Sequence, residues 1–333
     1  MSTKPLVSVL IPLFNAAPYL PETLKYVLSQ TYTNVEVIMV DDGSTDNSWD
    51  IASRYTEDSR VRLLRNPNKG ACSARNYAFS KSLGKYVMFM DADDYCSPDK
   101  IEKQVQALKL SHYGTVAFCS LANLRNSQLE LPRARKIDRD YDVPIDMLVD
   151  MWSHKGGFNC PHCYLVPRDL VEKVGGWNES VRKNQDGEFF SRVIMAASKM
   201  IYVPEVYAVW RHTGTGISST ATESSAESQL YTYRKIAQML LAHEDSARVR
   251  KAISWQIGWH VYLNYPHHPV AVKSAMQFLQ ESELPLWIDN RGKLYGLLRR
   301  FIGWRAAARV VKSSRVIQMC SAIRRFLGHK TNA

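Results

Sequence analysis

Through the first 120 residues, continuous apolar runs alternate with stretches of helical period. Val7–Leu13, Val35–Val40, Val61–Leu64, Tyr86–Met90 and Val116–Cys119 are unbroken enough to predict strands buried on both faces. The first of these begins within VSVLIPLF, which we read as a strand and not as a signal peptide, because only Lys4 precedes it and the pattern runs straight on. Between the strands, Glu22–Ser29, Asn47–Tyr55, Ala71–Leu83 and Pro98–Leu110 predict helices, the last with Ser97-Pro98 as cap and first-turn proline. Strand–helix alternation with short connections predicts an α/β fold with a parallel, helix-covered sheet.

After an irregular polar stretch (121–160), the pattern returns. Cys163–Val166 predicts a strand, Arg168–Val174 and the QDGEFFSRV stretch predict helices, and Val206–Trp210 a further strand. Residues 213–229 are rich in Ser, Thr and Gly, the composition of a loop. Beyond it, Leu230–Ala242, Ala247–Tyr262, Val270–Leu279 and a basic tail read as helices. The expected organisation is an α/β domain over 1–215, a linker over 216–229 and a helical region over 230–333.

Composition narrows the class. Hydrophobic content of 45% and charged content of 23% are those of a globular chain. No apolar run reaches the ~18 residues that would cross a bilayer. Six cysteines without a paired framework point to reduced thiols and a cytosolic setting. CPHC (Cys160, Cys163) has half the spacing of a zinc site, but no second pair follows, so ordinary thiols are expected. The formal charge of +11 is uneven: residues 291–333 hold 11 Lys and Arg and no acid, while residues 1–290 hold 32 basic and 32 acidic residues.

Candidate chemistry gathers where the strands end. Ligands of helix-covered parallel sheets bind outside the carboxyl ends of the strands. Those ends carry Asn15, then Asp41-Asp42-Gly43-Ser44, then Asn66 to Gly70, then Asp91-Ala92-Asp93. In VMFMDADDY an apolar strand runs into three carboxylates within four positions. Such crowding raises carboxylate pKa values unless positive charge intervenes, and a divalent cation is the economical answer.

The run VSVLIPLFNAAPYL, then VEVIMVDDGSTDNS, NKGACSARNYA and YVMFMDADD, resembles the nucleotide-sugar-binding half of family 2 glycosyltransferases, over about residues 5–215. The resemblance implies a GT-A fold, Rossmann-like with a mostly parallel central sheet, followed here by the helical region. It also implies a nucleotide-diphosphate sugar donor (UDP-sugar favoured), Mg2+ or Mn2+, and inversion at the anomeric centre. By the same resemblance, Pro12, Phe14 and Asn15 shape the pocket around the base, and Asp42 accepts a base N–H. Capping of the following helix is the alternative for Asp42, and the reading favoured for Ser44 or Asp46. Asn68, Gly70 and Arg75 face the diphosphate, a surface ion pair being the rival reading of Arg75.

Asp93 is then a direct metal ligand, Asp91 and Ala92 lie toward the ribose or the metal, and Asp94 supports or caps. His212 in WRHTGTGIS matches a position that reaches the diphosphate or metal. Asp186 in NQDGEFF takes the place of the catalytic base, with Gln185 where many relatives carry Glu. Glu188 is expected to support it or to contact the acceptor, and its side chain would point roughly 200° away from that of Asp186 on a helix. Trp177 is expected at the acceptor, stacking on a sugar or packing in a Gly-Gly-Trp turn.

In the tail, Leu294, Leu298, Phe301 and Ile302 share one helical side, with Arg299, Arg300 and Arg305 elsewhere. Val316, Ile317, Ile323, Phe326 and Leu327 continue the apolar pattern among Arg315, Arg324 and Arg325. A basic amphipathic helix fits an anionic membrane surface, with packing on the enzyme as the rival. No nucleic-acid module is present. The expected function is an inverting glycosyltransferase, cytoplasmic and peripheral on the inner face of the membrane, acting on a saccharide or lipid-linked acceptor in cell-envelope glycan synthesis. A sugar nucleotidyltransferase would want a Gly-rich run where PLFNAAPYL stands. Intact Asp91, Asp93 and Asp186 speak against an idle sugar-nucleotide-binding scaffold.

Overall fold

The computed structural model describes residues 4–154, 156–214, 216, 221–288 and 293–313. The chain forms two compact units, residues 1–220 and 221–333.

The first unit is built on β1 (Val7–Leu13), β2 (Val35–Asp41), β3 (Val61–Arg65) and β4 (Tyr86–Phe89), all parallel to their neighbours in this group. Helices α1 (Leu20–Leu28), α2 (Ser48–Arg54) and α3 (Ala71–Lys81) connect them. Every residue of β2 and β4 is buried, as strands covered on both faces require. Buried Glu36 on β2 is satisfied by the Ser8 hydroxyl at 2.6 Å and by the Leu83 and Gly84 amides at 2.6 and 3.0 Å. A Cβ at Gly84 would fall 2.4 Å from the Ser8 hydroxyl oxygen, so only glycine lets this turn close.

The remaining elements are β5 (Tyr95–Cys96), α4 (Lys100–Lys109), β6 (Thr115–Arg125), β7 (Gln128–Glu130), α5 (Ile145–Met151), β8 (Tyr164–Pro167), α6 (Arg168–Val174), α7 (Gln185–Ala196) and β9 (Lys199–Arg211). The sheet order is β3-β2-β1-β4-β8-β6-β9-β5, with β7 on β6. Antiparallel β8 joins the parallel group to the parallel pair β6–β9.

Three expectations are corrected. Helix α4 starts at Lys100, because Ser97 is committed to the sheet edge: its amide donates to Tyr207 O and its hydroxyl accepts from the Tyr207 amide. Strands β6 and β9 are much longer than their apolar cores. Pro204 and Glu205 (φ 67°) break the apolar run of β9 close to the register shift between Phe118 and Ser120. Residues 223–229, expected in the linker, are the first turns of a helix.

The second unit contains α8 (Glu223–His243), α9 (Ala247–Asn264), α10 (Pro269–Glu281) and α11 (Lys293–Lys312). The Ser/Thr-rich composition that suggested a linker includes the cap of α8: Thr222 Oγ1 accepts the Ser225 amide at 3.2 Å. Leu230, Ile236 and Leu240 on α8, Val249, Ile253 and Ile257 on α9, and Ala271, Ala275 and Phe278 on α10 are buried at helical spacing. Helix α11 is broken at Gly303 (φ 71°), so the tail does not begin as one continuous amphipathic helix. Arg315, Val316, Ile317, Ile323, Arg324, Arg325, Phe326 and Leu327 lie outside the described residues, as do the side chains of Leu294 and Phe301. No helix among the described residues is long and apolar enough to cross a membrane.

Candidate active site

The ends of β1, β2 and β4 converge on one polar rim. Asn15 adopts φ 48° and its side-chain oxygen accepts the Thr45 amide at 2.8 Å, while its own amide donates to Ser44 Oγ at 3.1 Å. Phe14 beside it is exposed and Pro12 half-buried. Asp42 follows β2; its carboxylate accepts the Gly70 amide at 2.9 Å and the Asn66 side-chain amide at 2.7 Å. Gly70 (φ 108°) then opens α3, and Asn68 is exposed on the same loop. Asp42 therefore ties the β3–α3 loop to β2 and does not cap α2. Asp46 accepts the Ser48 amide at the start of α2, whereas Ser44 serves Asn15 instead of the helix.

Arg75, one turn into α3, is buried, which overturns the surface-pair alternative. It donates to Asp91 at 2.6 Å and to Gln185 at 3.1 Å, and its guanidinium lies 4.4 Å from the Trp177 ring centroid. It thus links the end of β4 to the first turn of α7. The turn after β4 is braced on all sides: Thr23 on α1 donates to Ala92 O at 2.9 Å, and Asp94 N to Asp91 O at 3.2 Å.

Asp93 is held here through its backbone, its carbonyl accepting Arg211 Nε at 2.8 Å. Burial first, and then the Asp91 charge, push its carboxyl up to about 6. Asp94 is 1% exposed, and burial followed by the charges of Asp93 and Asp91 raises it well above the usual carboxylate range. Its Oδ2 lies 3.6 Å from Nδ1 of His162, which burial and nearby Lys100 push down to about 4, so this ring is neutral. Asp94 is an inward brace and caps no helix.

Asp186 stands in the first turn of α7, where burial and then the Asp91 charge raise its pKa. The structure thus brings Arg75, Asp91, Asp93 and Asp186 into one electrostatic neighbourhood.

Three expected site residues are engaged by other parts of the protein. Glu188 is 8% exposed and both its oxygens are taken by Arg192, at 2.9 and 2.8 Å, so it braces α7 and is no acceptor contact. Trp177 is 3% exposed and stacked on Phe189 at 4.3 Å, which removes it from any sugar. His212 hydrogen-bonds Asn123 at 2.9 Å and lies 3.9 Å from Trp210, centroid to centroid. It joins no metal-ligand cluster; among the described residues no group of three or more His, Cys, Asp or Glu could hold a metal.

Arg211, which sequence reasoning passed over for its neighbour, does more. Its amide donates to Asp94 Oδ1 at 2.8 Å, its Nε to Asp93 O at 2.8 Å and its Nη2 to Glu22 at 2.6 Å. It fastens the end of β9 to the acidic turn. The signal was a charged residue closing an alternating strand.

A parallel sheet carrying an Asp-x-Asp turn at the end of its fourth strand, extended by an antiparallel strand into a second parallel pair, is the GT-A class of fold. Structure comparison agrees. Residues 1–349 of TarS from S. aureus, solved with UDP-GlcNAc, match with TM-score 0.67 at 19% identity, over 91% of this chain and 90% of that one. A mannosyltransferase from Pyrobaculum calidifontis, solved with GDP-Man and Mn2+, matches with TM-score 0.54 at 19% identity, over 93% and 87%. The model of Glycosyl transferase family 2 matches residues 8–175, and the chain belongs to that family.

An uncharacterized glycosyltransferase of Haemophilus influenzae is 39% identical over 141 residues, 40% of this chain and 55% of that protein. A putative teichuronic acid biosynthesis glycosyltransferase, TuaG of Bacillus subtilis, is 44% identical over 105 residues, 31% and 42% respectively. The matched regions span about half the length of these two relatives. Family membership sets the sugar nucleotidyltransferase reading aside.

Proposed function

We propose that this chain is an inverting glycosyltransferase, of hexosyl- or N-acetylhexosaminyl-transferase type. It moves a sugar from a nucleotide-diphosphate sugar, UDP-sugar favoured, to a saccharide or lipid-linked acceptor of a cell-envelope glycan. The observation that carries this reading is the neighbourhood of Asp186 and the Asp91–Asp93 turn, with Arg75 joining the two. The relatives support the substrate class: TarS was solved with UDP-GlcNAc, and TuaG is named for teichuronic acid biosynthesis.

The residues fit a hard divalent cation. The Asp93 carboxylate is set beside that of Asp91 and raised by it, and oxygen pairs of this kind suit Mg2+ or Mn2+. The cation, when bound, neutralises charge on the donor's diphosphate. Asp91 and Asp93 would hold it, and the Mn2+ in the Pyrobaculum neighbour supports the choice. Arg75 fixes Asp91 and leaves its second oxygen for the ligand. Pro12, Phe14, Asn15 and Asp42 border the base, where Asp42 would share its carboxylate with the Gly70 amide. Asn68, Gly70 and Ala92 line the approach of the phosphates and ribose. Asp186, with its raised proton affinity, takes the acceptor hydroxyl's proton in a single in-line displacement, which inverts the anomeric centre.

Residues 291–333 dock on the anionic inner face of the membrane. Their 11 basic residues have no acidic compensation, and Leu297, Ile302 and Val310 on α11 are exposed among arginines. Sugar-nucleotide hydrolysis over a panel of UDP-, GDP- and dTDP-sugars with Mn2+ tests the function. Release from one donor class that chelator abolishes is expected, and silence on every donor would refute it. Co-sedimentation with anionic vesicles, lost on deletion after Asn290, tests the tail; equal binding by both forms would refute it.

A further inference from the structure

With Trp177 buried, another aromatic surface has to be considered on the acceptor side. Phe158 is 48% exposed, although a ring of this size normally folds inward. Its exposure is built in. Gly157 supplies φ 98°, and Arg135, fixed by Asp138 at 2.7 Å, donates to Phe158 O at 2.8 Å. The ring stands edge-on to Trp210 at 5.5 Å and 83°, and Trp210 in turn lies against His212. Next in the chain, Asn159 is buried, 5% exposed.

The surface belongs to the active-site rim. Trp210 precedes Arg211, whose guanidinium touches Asp93 O, and His162 Nε2 meets Val209 O at 3.2 Å, tying the 158–162 segment to this end of β9. Cys160, two residues after Phe158, is pushed well up by burial and then by the charges of Asp94, Asp186, Asp91 and Asp93, so it lies within their electrostatic reach.

Sheet order says which ligand belongs here. The base-side residues Pro12 to Asn15 and Asp42 follow β1 and β2, on one side of β4, whereas Phe158 precedes β8 and Trp210 ends β9, on the other side. A donor lying across the end of β4 has its nucleoside toward β1 and β2. What reaches it from the opposite side is the acceptor.

We propose that the Phe158 ring forms the acceptor subsite, an aromatic platform for the C–H face of a pyranose ring, flanked edge-on by Trp210 and with its backbone fixed by Arg135 and Gly157. It rests on the transferase reading above. Aromatic faces recognise sugar rings through stacked apolar contact, and a fixed platform lowers the ordering cost of binding.

Saturation-transfer NMR on the full chain tests it, with UDP and a panel of methyl pyranosides (gluco, galacto, manno and 2-acetamido forms) as probes. Saturation on the ring protons of at least one glycoside is expected from the wild type. Phe158→Leu, which keeps apolar bulk and loses the π face, should weaken that glycoside about tenfold, and Phe158→Tyr should restore it. No saturation on any glycoside, equal binding by Phe158→Leu, or transfer of the Phe158 effect to UDP would overturn the platform. Nucleotide-sugar binding by the wild type, measured separately by calorimetry, keeps these failures distinct from failure of the transferase reading.

Discussion

Two acidic turns follow β2 and β4, the strands on either side of β1, and the same residue type meets opposite environments in them. In the turn after β2, Asp41 accepts the Ser44 amide, Asp42 the Gly70 amide and the Asn66 side chain, and Asp46 the Ala17 and Ser48 amides. Against the upward push of burial, those bonds hold Asp46 below the usual carboxylate range. In the turn after β4, Asp91 is ion-paired with Arg75, while burial and mutual repulsion raise Asp93 and Asp94 against the lowering charge of Arg211. The first turn spends its charge on backbone donors and shapes a loop. In the second, Arg75 and Arg211 offset the crowding only in part, and the Asp93 and Asp94 carboxyls stay raised. Counting carboxylates does not separate the two; asking what each oxygen accepts does.

Substitutions should divide along that line. Asp93→Asn is expected to bring metal-dependent donor turnover to background, a loss of about 10³-fold or more, with the fold intact. Turnover by this variant in chelator would erase the contrast. Asp186→Asn should slow transfer by roughly 10²–10³-fold while nucleotide-sugar binding, read by calorimetry, persists. Arg211→Gln frees the Asp93 carbonyl and Glu22 and removes the guanidinium charge beside the turn, while the backbone amide stays on Asp94, so the Mn2+ concentration for half-maximal activity should rise about tenfold.

On the other side of the comparison, Asp42→Ala takes the acceptor from the Gly70 amide and from Asn66 Nδ2, while Asn66 Oδ1 keeps Ser73 Oγ. Chemical denaturation should show a loss of about 1–3 kcal/mol, and Asp46→Ala about 1 kcal/mol. The acidity of the two turns should also separate them. Because the Asp93 carboxyl titrates near 6, protons compete with the cation below that pH. Mn2+ affinity should therefore weaken as pH falls from 7 to 5, and Asp46→Asn should show the same dependence as the wild type.

The β1–β4 half was legible because strands buried on both faces write themselves as unbroken Val/Ile/Leu runs, and their ends carried the family's motifs. The β6–β9 half was not. Its strands pass through a register shift at Pro204-Glu205, and half their residues face polar surroundings, so neither period shows cleanly. The site followed the same division. Arg75, Asp91, Asp93 and Asp186 fell together as motif and spacing suggested. Trp177, Glu188 and His212 carried the right chemistry, but burial and partners decided their roles: Phe189 covers the first, Arg192 neutralises the second, and Asn123 engages the third. Arg211 and Phe158 were invisible because their importance comes from what they touch across the fold.

The most direct test is Mn2+ binding followed by electron paramagnetic resonance in the presence of UDP, on wild type, Asp93→Asn and Asp46→Asn. Wild type and Asp46→Asn should each deplete free Mn2+ to the same extent, and Asp93→Asn should leave it free. Equal depletion by Asp93→Asn, or loss of binding in Asp46→Asn alone, would show that the acidic turn after β4 is not the cation site.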